Sequence, residues 1–346
     1  MMNFKDIIYF GTSILRMHLQ PSHRVPLSVH IGLTNRCNNR CRYCNFQSLS
    51  QEDVWTTEDL ILVLDEMREA GTRRVQFTGG EPMLRKDLGI ILAHAKSLGM
   101  FVGVSTNGFQ VPKRVEELRP ADIVQVSYDG PPKVHGYLRG DKSVDETAAA
   151  IDILLKKKIP VWTNTVLTTV NSPYIDEIVE YVRARGMVSN FVLLDYFADP
   201  QEHFHPALKD IQDLVLCGEE KRKALERLIK LKRAGAPVAG SIPYFQNALD
   251  WPYEDRVTSP ERSPLYRCWF GRAVGHLEAD GNLYACGMGV GRVPGIDVRE
   301  VGFKQAWKEL KPLPNCNSCT MACGVEVNLL FSLNLNVIYN WFRQLR

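Results

Sequence analysis

Apolar residues between positions 29 and 235 follow two alternating patterns. Short runs rich in Val, Ile and Phe predict buried strands, and longer runs with an apolar residue every three or four positions predict amphipathic helices. The predicted strands are Val29–Leu33, Arg74–Phe77, Phe101–Ser105, Ile123–Ser127, Val161–Leu167 and Asn190–Leu194. The predicted helices between them are Thr57–Ala70, Asp87–Leu98, Pro112–Leu118, Asp145–Lys157 and Pro173–Arg185. Six such repeats predict an α/β fold with a parallel sheet, either a barrel or a doubly wound sheet.

The two ends of the chain carry a different pattern, because each is an apolar stretch with basic residues at its margin. Phe4–Leu19 has the spacing of an amphipathic helix, and Glu326–Leu345 is apolar with Trp341 and a basic end. Such helices can lie in a membrane interface or pack against the domain they flank. We therefore predict an N-terminal helix (1–27), a core domain (28–235), a cysteine-rich subdomain (236–325) and a C-terminal amphipathic helix (326–346).

The totals describe an ordinary globular protein. Of the 346 residues, 45% are apolar and 23% are charged, which suits a chain with a buried core. The net charge of +3 is too small to indicate a nucleic-acid partner, so we expect none. Met1–Leu19 is interrupted by charged residues and predicts no secretory signal. No apolar run reaches the roughly 18–20 residues that a membrane-spanning helix needs.

The nine cysteines are clustered, with three between positions 37 and 44 and five between positions 268 and 323. Clustered cysteines without a secretory signal predict metal ligands in a reducing cytoplasm. The densest group, Cys37, Cys41 and Cys44, lies in the loop after the first predicted strand. Three thiolates on one loop can hold one metal centre and leave a coordination position open for chemistry. The alternatives are a zinc knuckle with a distant fourth ligand and a disulfide framework.

The spacing Cys-x3-Cys-x2-Cys, with the aromatic Tyr43 before the last cysteine, resembles the signature of the radical S-adenosylmethionine (SAM) superfamily. The resemblance implies a partial (β/α)6 TIM-like barrel with its chemistry at the carboxyl ends of the strands. It also implies a [4Fe–4S] cluster on Cys37, Cys41 and Cys44 whose fourth iron binds SAM. Such a cluster makes the protein oxygen-sensitive, so an anaerobic enzyme is expected.

Three further motifs follow the second, third and fourth predicted strands. Thr78–Pro82 (TGGEP) resembles the motif that holds the SAM amino group, and Ser105–Gly108 resembles the segment that contacts the ribose. Ser127–Arg139 resembles the segment whose Ser and Arg meet the SAM carboxylate, where a planar guanidinium pairs bidentately. The implied SAM site consists of Tyr43, Gly79, Gly80, Glu81, Thr106, Asn107, Ser127 and Arg139.

The last quarter of the chain resembles the auxiliary-cluster subdomain called twitch, a shortened relative of the SPASM domain. It carries Cys268, Cys286, Cys316, Cys319 and Cys323. A hairpin through Asp280-Gly281, a pair typical of a type I′ turn, would return Cys286 towards Cys268. Five thiols suffice for one auxiliary [4Fe–4S] cluster, with Cys316 and Cys323 competing for the fourth position. A zinc site is the alternative.

The resemblance implies that SAM is cleaved reductively to a 5′-deoxyadenosyl radical, with an electron from a flavodoxin or ferredoxin-type donor. No catalytic residue is assigned beyond the cluster and SAM. The polar and aromatic loop after the sixth strand supplies the candidate substrate contacts Asp195, Tyr196, His203 and His205.

The substrate class is less determined than the reaction. Because both ends are apolar and partly basic, we expect a membrane-associated lipid or isoprenoid-type substrate. The enzyme would then be cytoplasmic, with peripheral contact at the inner face of the membrane. The alternatives are maturation of a ribosomal peptide and oxidation of a soluble small molecule. The non-enzymatic alternative is an iron–sulfur electron carrier, which would not need Glu81, Asn107, Ser127 and Arg139.

Overall fold

The structure is a computed structural model, and it describes residues 4–50, 54–198 and 205–344. The strands are β1 (Ser28–Gly32), β2 (Arg74–Thr78), β3 (Phe101–Thr106), β4 (Ile123–Ser127), β5 (Val161–Leu167), β6 (Val188–Leu193), β7 (Thr258–Ser259), β8 (Val274–Leu277), β9 (Asn282–Tyr284), β10 (Ile296–Asp297) and β11 (Ser318–Cys319). The helices are α1 (Phe4–Leu19), α2 (Thr57–Ala70), α3 (Leu88–Ser97), α4 (Val111–Arg114), α5 (Pro132–Arg139), α6 (Lys142–Lys156), α7 (Ile175–Ala184), α8 (Leu208–Ile211), α9 (Gly218–Arg233), α10 (Ile242–Leu249), α11 (Val298–Val301), α12 (Phe303–Glu309), α13 (Ala322–Phe331) and α14 (Leu335–Gln344).

Strands β1 to β6 pair in sequence order, and every pair among them is parallel. Each is followed by a helix, as short connections between parallel strands require. The order of strands and helices agrees with the sequence pattern, and the predicted partial (β/α)6 barrel is confirmed. Because the strands are parallel, the loops that carry the four motifs all leave the same edge of the sheet.

Helix α2 illustrates why the elements begin and end where they do. The Thr56 side chain accepts a hydrogen bond from the Asp59 backbone N–H, and the Asp59 side chain accepts one from Thr56. This capping box satisfies N–H groups that the first helical turn leaves unpaired. Gly71 ends the helix at a φ of 112°, where a side chain would be strained and would also collide with Val25.

The cysteine-rich segment extends the same sheet. Strand β8 pairs in parallel with β1, and β9 and β10 continue the sheet beyond it in antiparallel fashion. The predicted hairpin is present between β8 and β9, but its turn is not type I′. A type I′ turn requires positive φ at both central residues, and only Gly281, at 93°, has one; Asp280 does not.

Helix α13 lies between the two sides of the open barrel. Ala322 and Val325 belong to the apolar cluster that contains Phe191 of β6, whereas Val327 belongs to the cluster that contains Val274 of β8. A helix that packs against apolar groups on two sides has no solvent-exposed stripe of the usual kind. Helix α13 therefore fills the lateral opening that six strands leave, and part of its remaining face borders the barrel interior.

The predicted C-terminal helix over 326–346 is wrong in its extent. The chain breaks after Phe331, where Leu333 adopts a positive φ of 61°, and α14 leaves α13 at an angle of 111°. No single helix in the described ranges is long and apolar enough to cross a membrane; α13 and α14 together meet that length and composition only as a bent pair. Residues 345 and 346 lie outside the described residues.

Helix α1 has the predicted bounds and packs on the protein with one side. Ile14 and Met17 are buried, and the His18 ring Nε2 lies 2.8 Å from the Phe331 carbonyl oxygen. Its other side is open, since Leu15 is 52% and Leu19 is 84% exposed. One face of the helix therefore packs against the domain, as one of the two interpretations predicted, and the other face exposes apolar side chains to solvent.

Candidate active site

The loop after β1 brings its three cysteines together. Burial, together with the charge of the neighbouring Cys41, raises the pKa of the Cys37 thiol to about 11 and that of the Cys44 thiol to about 12. The pKa of Cys41 is raised by burial too, and Arg139 opposes that shift. Mutual electrostatic influence among all three thiols means that they converge on one small region at the carboxyl edge of the sheet.

The donor chemistry around these thiols suits cluster ligands. The Asn107 side-chain Nδ2 lies 3.9 Å from the Cys37 Sγ and can donate to it, and the Arg139 Nη1 lies 3.7 Å from the Cys41 Sγ. Hydrogen bonds to sulfur stabilise the thiolate form and tune an iron–sulfur centre. Within the described ranges no group of three or more His, Cys, Asp or Glu is arranged to hold a single metal ion. Ligands of a four-iron cluster bind separate irons, so they need not meet at one point.

Two glycines let the loop after β2 lie directly against the cysteine loop. A Cβ on Gly79 would lie 2.4 Å from the Thr34 carbonyl oxygen, and one on Gly80 would lie 2.3 Å from the Arg36 carbonyl oxygen. The Gly80 backbone N–H donates to Thr34 at 2.7 Å. Any side chain at these two positions would push the loops apart, which explains the Gly-Gly pair.

Glu81 ties the loops after β2 and β3 together. Its buried carboxylate accepts hydrogen bonds from the Met83 N–H (3.0 Å), the Thr106 hydroxyl (2.8 Å) and the Asn107 N–H (2.7 Å). Burial raises the pKa of Glu81, and these donors oppose that shift. The Glu81 carboxylate is fully enclosed, so its three hydrogen bonds hold the loops after β2 and β3 together.

Asn107 is committed to the cysteine loop through its side chain. Besides approaching Cys37, its Nδ2 donates to the Asn38 Oδ1 at 2.8 Å, and its Oδ1 accepts from the Phe109 N–H. Thr106 is committed to Glu81 in the same way. The two residues that the sequence assigns to the SAM ribose therefore also hold the cluster loop and the Gly-Gly loop in register.

A buried ion pair that the sequence motifs did not single out lies under the cysteine loop. Asp129, fully buried, accepts from the Arg139 Nε at 2.6 Å and from the Val166 N–H at 3.0 Å, and the Tyr43 hydroxyl also donates to it. Burial alone would lower the pKa of Arg139, but the Asp129 carboxylate raises it well above its ordinary value. Asp129 thus fixes the guanidinium that approaches Cys41. Its sequence signal was an Asp-Gly pair directly after a strand.

Two of the predicted SAM residues lie next to this ion pair. The Tyr43 ring lies under the guanidinium of Arg139, 5.5 Å from it, and Ser127 ends β4 two residues before Asp129. Among the described residues the structure gives the Arg139 Nη2 no hydrogen-bond partner. That donor is available for a carboxylate while the Nε stays on Asp129.

We expect Asp129→Asn to weaken SAM binding by about tenfold without removing an iron–sulfur cluster held by Cys37, Cys41 and Cys44, because the amide no longer fixes the Arg139 guanidinium by charge. The variant should also unfold at a lower temperature, since a buried charge loses its partner. Iron analysis, SAM titration and thermal unfolding of anaerobically reconstituted protein check this. Asp176→Asn is the control, because Asp176 pairs with Arg227 on the surface. Equal SAM affinity in Asp129→Asn and the control would contradict the role of the ion pair.

The C-terminal cysteines form a second group. The pKa of Cys319 is raised well above its ordinary value by burial and by Cys268, Cys286 and Cys316, and burial and Cys268 raise that of Cys316 to about 11. The Tyr266 hydroxyl and the Asn247 side chain both donate to the Cys319 carbonyl, which fixes the turn before α13. Four thiols therefore lie within electrostatic reach of one another.

Cys323 faces elsewhere. Burial is the main cause that raises the pKa of its thiol, to about 11. The charged groups that also act on it are Asp195, which follows β6, and Arg74, which begins β2. Its side chain is nevertheless exposed. The Cys323 side chain therefore has accessible surface although protein surrounds it, as expected for a residue that lines an internal space. Cys286 also responds to Cys323, so Cys323 lies between the second cysteine group and the barrel interior.

The four predicted substrate residues have different positions. Asp195 borders the barrel interior, where burial raises its pKa to about 7, and its Oδ1 has no hydrogen-bond partner among the described residues. Tyr196 is buried and donates to the Glu254 carbonyl at 2.7 Å, which is a packing role. The His205 ring contacts Phe197 edge-on. His203 lies outside the described residues.

The barrel interior is polar. Side chains alternate along each strand, so Val75 and Phe77 pack against the outer helices while Gln76 points inward. The Gln76 Nε2 donates to the Ser105 Oγ at 3.1 Å and to the Gln125 Oε1 at 3.3 Å. The same layer continues with a 2.9 Å hydrogen bond from Asn190 to Asn164. A ring of amide and hydroxyl groups therefore lines the interior below the cysteine loop.

Residues 31–184 match the profile of the Radical SAM superfamily. The probable GTP 3′,8-cyclase of Methanocella arvoryzae is 30% identical over 214 residues, which cover 57% of this chain and 68% of that protein. The GTP 3′,8-cyclase of Nautilia profundicola is 25% identical over 205 residues, covering 56% of this chain and 63% of that protein. The chain thus spans about two thirds of the length of these two cyclases.

Two solved structures share the fold. Streptococcus suis SuiB bound to S-adenosylmethionine superposes with a TM-score of 0.65 at 15% identity, covering 88% of this chain and 70% of that one. Native anSMEcpe with bound AdoMet and a Kp18Cys peptide gives 0.58 at 15% identity, covering 91% and 99%.

A parallel partial barrel with three converging thiols at its carboxyl edge defines an iron–sulfur enzyme of the SAM-cleaving class. With the profile match and the cyclase relative, this chain belongs to the radical SAM superfamily. Enzymes of this superfamily use a [4Fe–4S] cluster and SAM, and the predictions of family, fold, cofactor class and enzymatic nature are confirmed.

Proposed function

We propose that Cys37, Cys41 and Cys44 hold the SAM-binding [4Fe–4S] cluster of this enzyme and that SAM lies between the cysteine loop and the loops after β2, β3 and β4. The observation that carries the proposal is the convergence of those loops, with Asn107 and Arg139 donating towards two of the three sulfurs. When bound, the cluster supplies the electron that cleaves SAM to a 5′-deoxyadenosyl radical.

The chain's own residues bind and orient SAM. Glu81 holds the loops after β2 and β3 on the side that receives the SAM ammonium, and the Arg139 Nη2 donates to the SAM carboxylate. Gly79 and Gly80 allow the backbone to approach both. Asp129 keeps the guanidinium in place, and Ser127 contributes a hydroxyl at the end of β4. Tyr43, Thr106 and Asn107 position these groups.

The second cysteine group is proposed to hold the auxiliary [4Fe–4S] cluster through Cys268, Cys286, Cys316 and Cys319. The support is that burial and Cys268 raise the pKa values of Cys286, Cys316 and Cys319, whereas the charged groups that act on Cys323 are Asp195 and Arg74. Cys323 is therefore left outside the ligand set. The division of the chain at residues 27, 235 and 325 stays a prediction, as does the flavodoxin or ferredoxin-type donor.

For the substrate we propose a small polar molecule held in the barrel interior. The polar lining of that interior supports it, because a lipid tail gains little among amide and hydroxyl groups. The curated relatives are named for a reaction of GTP, a small polar molecule, although they share only part of their length with this chain. The tests are anaerobic reconstitution and dithionite reduction, which should convert SAM to 5′-deoxyadenosine and methionine. No SAM cleavage by iron-loaded protein would overturn the proposal.

A lipid substrate remains a second candidate because of one observation, the open apolar face of the terminal helices. Leu15 and Leu19 of α1 and Leu335 of α14 are 52%, 84% and 79% exposed, and the basic Lys5 and Arg16 are exposed as well. Apolar side chains beside basic ones suit an anionic membrane surface. The cytoplasmic location with peripheral membrane contact stays a prediction on the same basis.

If this face binds membranes, the protein should sediment with vesicles of phosphatidylserine and phosphatidylcholine and be partly released by salt, because apolar burial and charge attraction both contribute. A Leu15→Glu/Leu335→Glu double variant should stay in the supernatant. Leu62→Glu is the matched control, since Leu62 is 62% exposed on α2. Absence of the wild-type protein from the pellet, or equal sedimentation of both variants, would remove the membrane hypothesis.

A further inference from the structure

We propose that the barrel interior contains an anion-binding site in which Arg74 pairs with a carboxylate or phosphate group of the substrate, with the Cys323 thiol facing the bound molecule. The proposal rests on the proposed function in taking this interior for the substrate site. Its observations are separate from the SAM loops, because Arg74 opens β2 at the amino end of the sheet.

Arg74 is a half-buried cation that has no carboxylate partner among the described residues. Its Nη1 donates to the Ser28 Oγ at 3.0 Å and its Nη2 to the Gln76 Oε1 at 3.2 Å, both neutral groups. Within the described ranges no acidic side chain lies within 4 Å of its guanidinium. Burial lowers the pKa of Arg74 to about 10, so it stays charged near neutrality. A buried charge normally has a counter-ion, and here a ligand would supply it.

The surroundings hold the guanidinium in place rather than neutralise it. The Gln76 side chain extends from β2 over Gly103 of β3. A Cβ on Gly103 would lie 2.1 Å from the Gln76 Oε1, so only glycine leaves room for it. His30 adds no competing positive charge, since burial, Arg74 and His276 hold its pKa well below its ordinary value. His276 itself pairs with Glu278 at 2.5 Å on the neighbouring strand. Arg74 is therefore the charged anchor of this part of the interior.

Cys323 connects Arg74 with the reactive edge of the sheet. The charges of Asp195 and Arg74 both act on its thiol; Asp195 follows β6 at the carboxyl edge, and Arg74 begins β2 at the amino end. A small molecule anchored by its anion at Arg74 would thus extend past the Cys323 thiol towards Asp195.

The thiol makes the site measurable without any substrate. In the iron-loaded holoenzyme we would measure alkylation of Cys323 by iodoacetate and by the neutral iodoacetamide, using mass spectrometry of the digested chain. Arg74 should attract the anionic reagent, so the ratio of the two rates at Cys323 should fall by about tenfold in Arg74→Gln. Cys217, which is exposed, is the internal reference in each digest. Its ratio should not change.

Arg74→Lys keeps the charge and should keep most of the wild-type ratio. Arg183→Gln, an exposed arginine of α7, should leave it unchanged. In wild-type protein inorganic phosphate or acetate should slow iodoacetamide at Cys323 and spare Cys217. Stronger protection by phosphate indicates a phosphate ester, and stronger protection by acetate a carboxylic acid. This protection is read in wild-type protein, so it tests the site even if Arg74→Gln does not fold.

An unchanged rate ratio in folded Arg74→Gln, or no protection by either anion, would overturn the proposal. So would a Cys323 that resists both reagents in the holoenzyme, because the thiol would then be a cluster ligand or closed off. SAM cleavage is measured in a different assay, so failure here leaves the proposed function standing, and failure there leaves the anion site standing.

Discussion

Replacing Cys41 by alanine will abolish the formation of 5′-deoxyadenosine from SAM under reducing conditions. Cys41 is the middle one of the three proposed ligands of the SAM-binding cluster, and the Arg139 Nη1 donates a hydrogen bond to its sulfur at 3.7 Å. Removing one of three thiolates leaves the cluster with two protein ligands, too few to retain it. Product analysis of anaerobically reconstituted protein after dithionite reduction measures the effect.

Iron content gives the same prediction a second readout. Wild-type protein should hold about eight irons as two four-iron clusters, and the Cys37/Cys41/Cys44→Ala triple variant about four. Cys217→Ala is the control, because Cys217 is exposed and lies outside both cysteine groups; it should keep full iron and full SAM cleavage. Full iron in the triple variant, or SAM cleavage by Cys41→Ala, would show that the front loop does not carry the cluster.

Cys316→Ala will lose the auxiliary cluster, whereas Cys323→Ala will keep it. Cys316 and Cys268 lie within each other's electrostatic reach, and Cys323 turns towards Asp195 and Arg74. We expect about four irons per chain in Cys316→Ala and about eight in Cys323→Ala. Both variants should retain the front cluster and cleave SAM, because its ligands are separate from the second group.

The two variants are each other's control, since both remove a single thiol from the same 56-residue stretch that begins at Cys268. The reverse pattern, with iron lost only in Cys323→Ala, would make Cys323 the fourth ligand and would also remove it from the barrel interior. Loss of iron in both would mean that five thiols are shared in a way this structure does not describe.

Much of the fold follows from local pattern. Helix α2 has the predicted bounds because its capping box and its final glycine lie at its two ends in the sequence, and β4 and β5 have the predicted bounds because both are short and rich in β-branched residues. Local signals are less informative beyond α9. There α10, α12 and β8 are defined by packing against distant parts of the chain.

The predicted C-terminal helix shows why a pattern can mislead. An apolar stretch over 326–345 is compatible with one interfacial helix or with two helices separated by a turn, and only the positive φ at Leu333 and the packing of α13 decide between them. Helix α13 is apolar because it fills the opening of the barrel. A single-sequence pattern cannot distinguish that surrounding from a membrane.

The sequence by itself determined the radical SAM motif, the parallel α/β core and the two cysteine groups, because each depends on residues close together in the chain. The tertiary structure decided what depends on contacts between distant segments. It paired Asp129 with Arg139 beneath the cysteine loop, placed Cys323 of α13 between the second cysteine group and the barrel interior, and left Arg74 half-buried with no carboxylate partner among the described residues. Those features arise because the closure of the barrel brings β2, β6 and α13 around one polar interior.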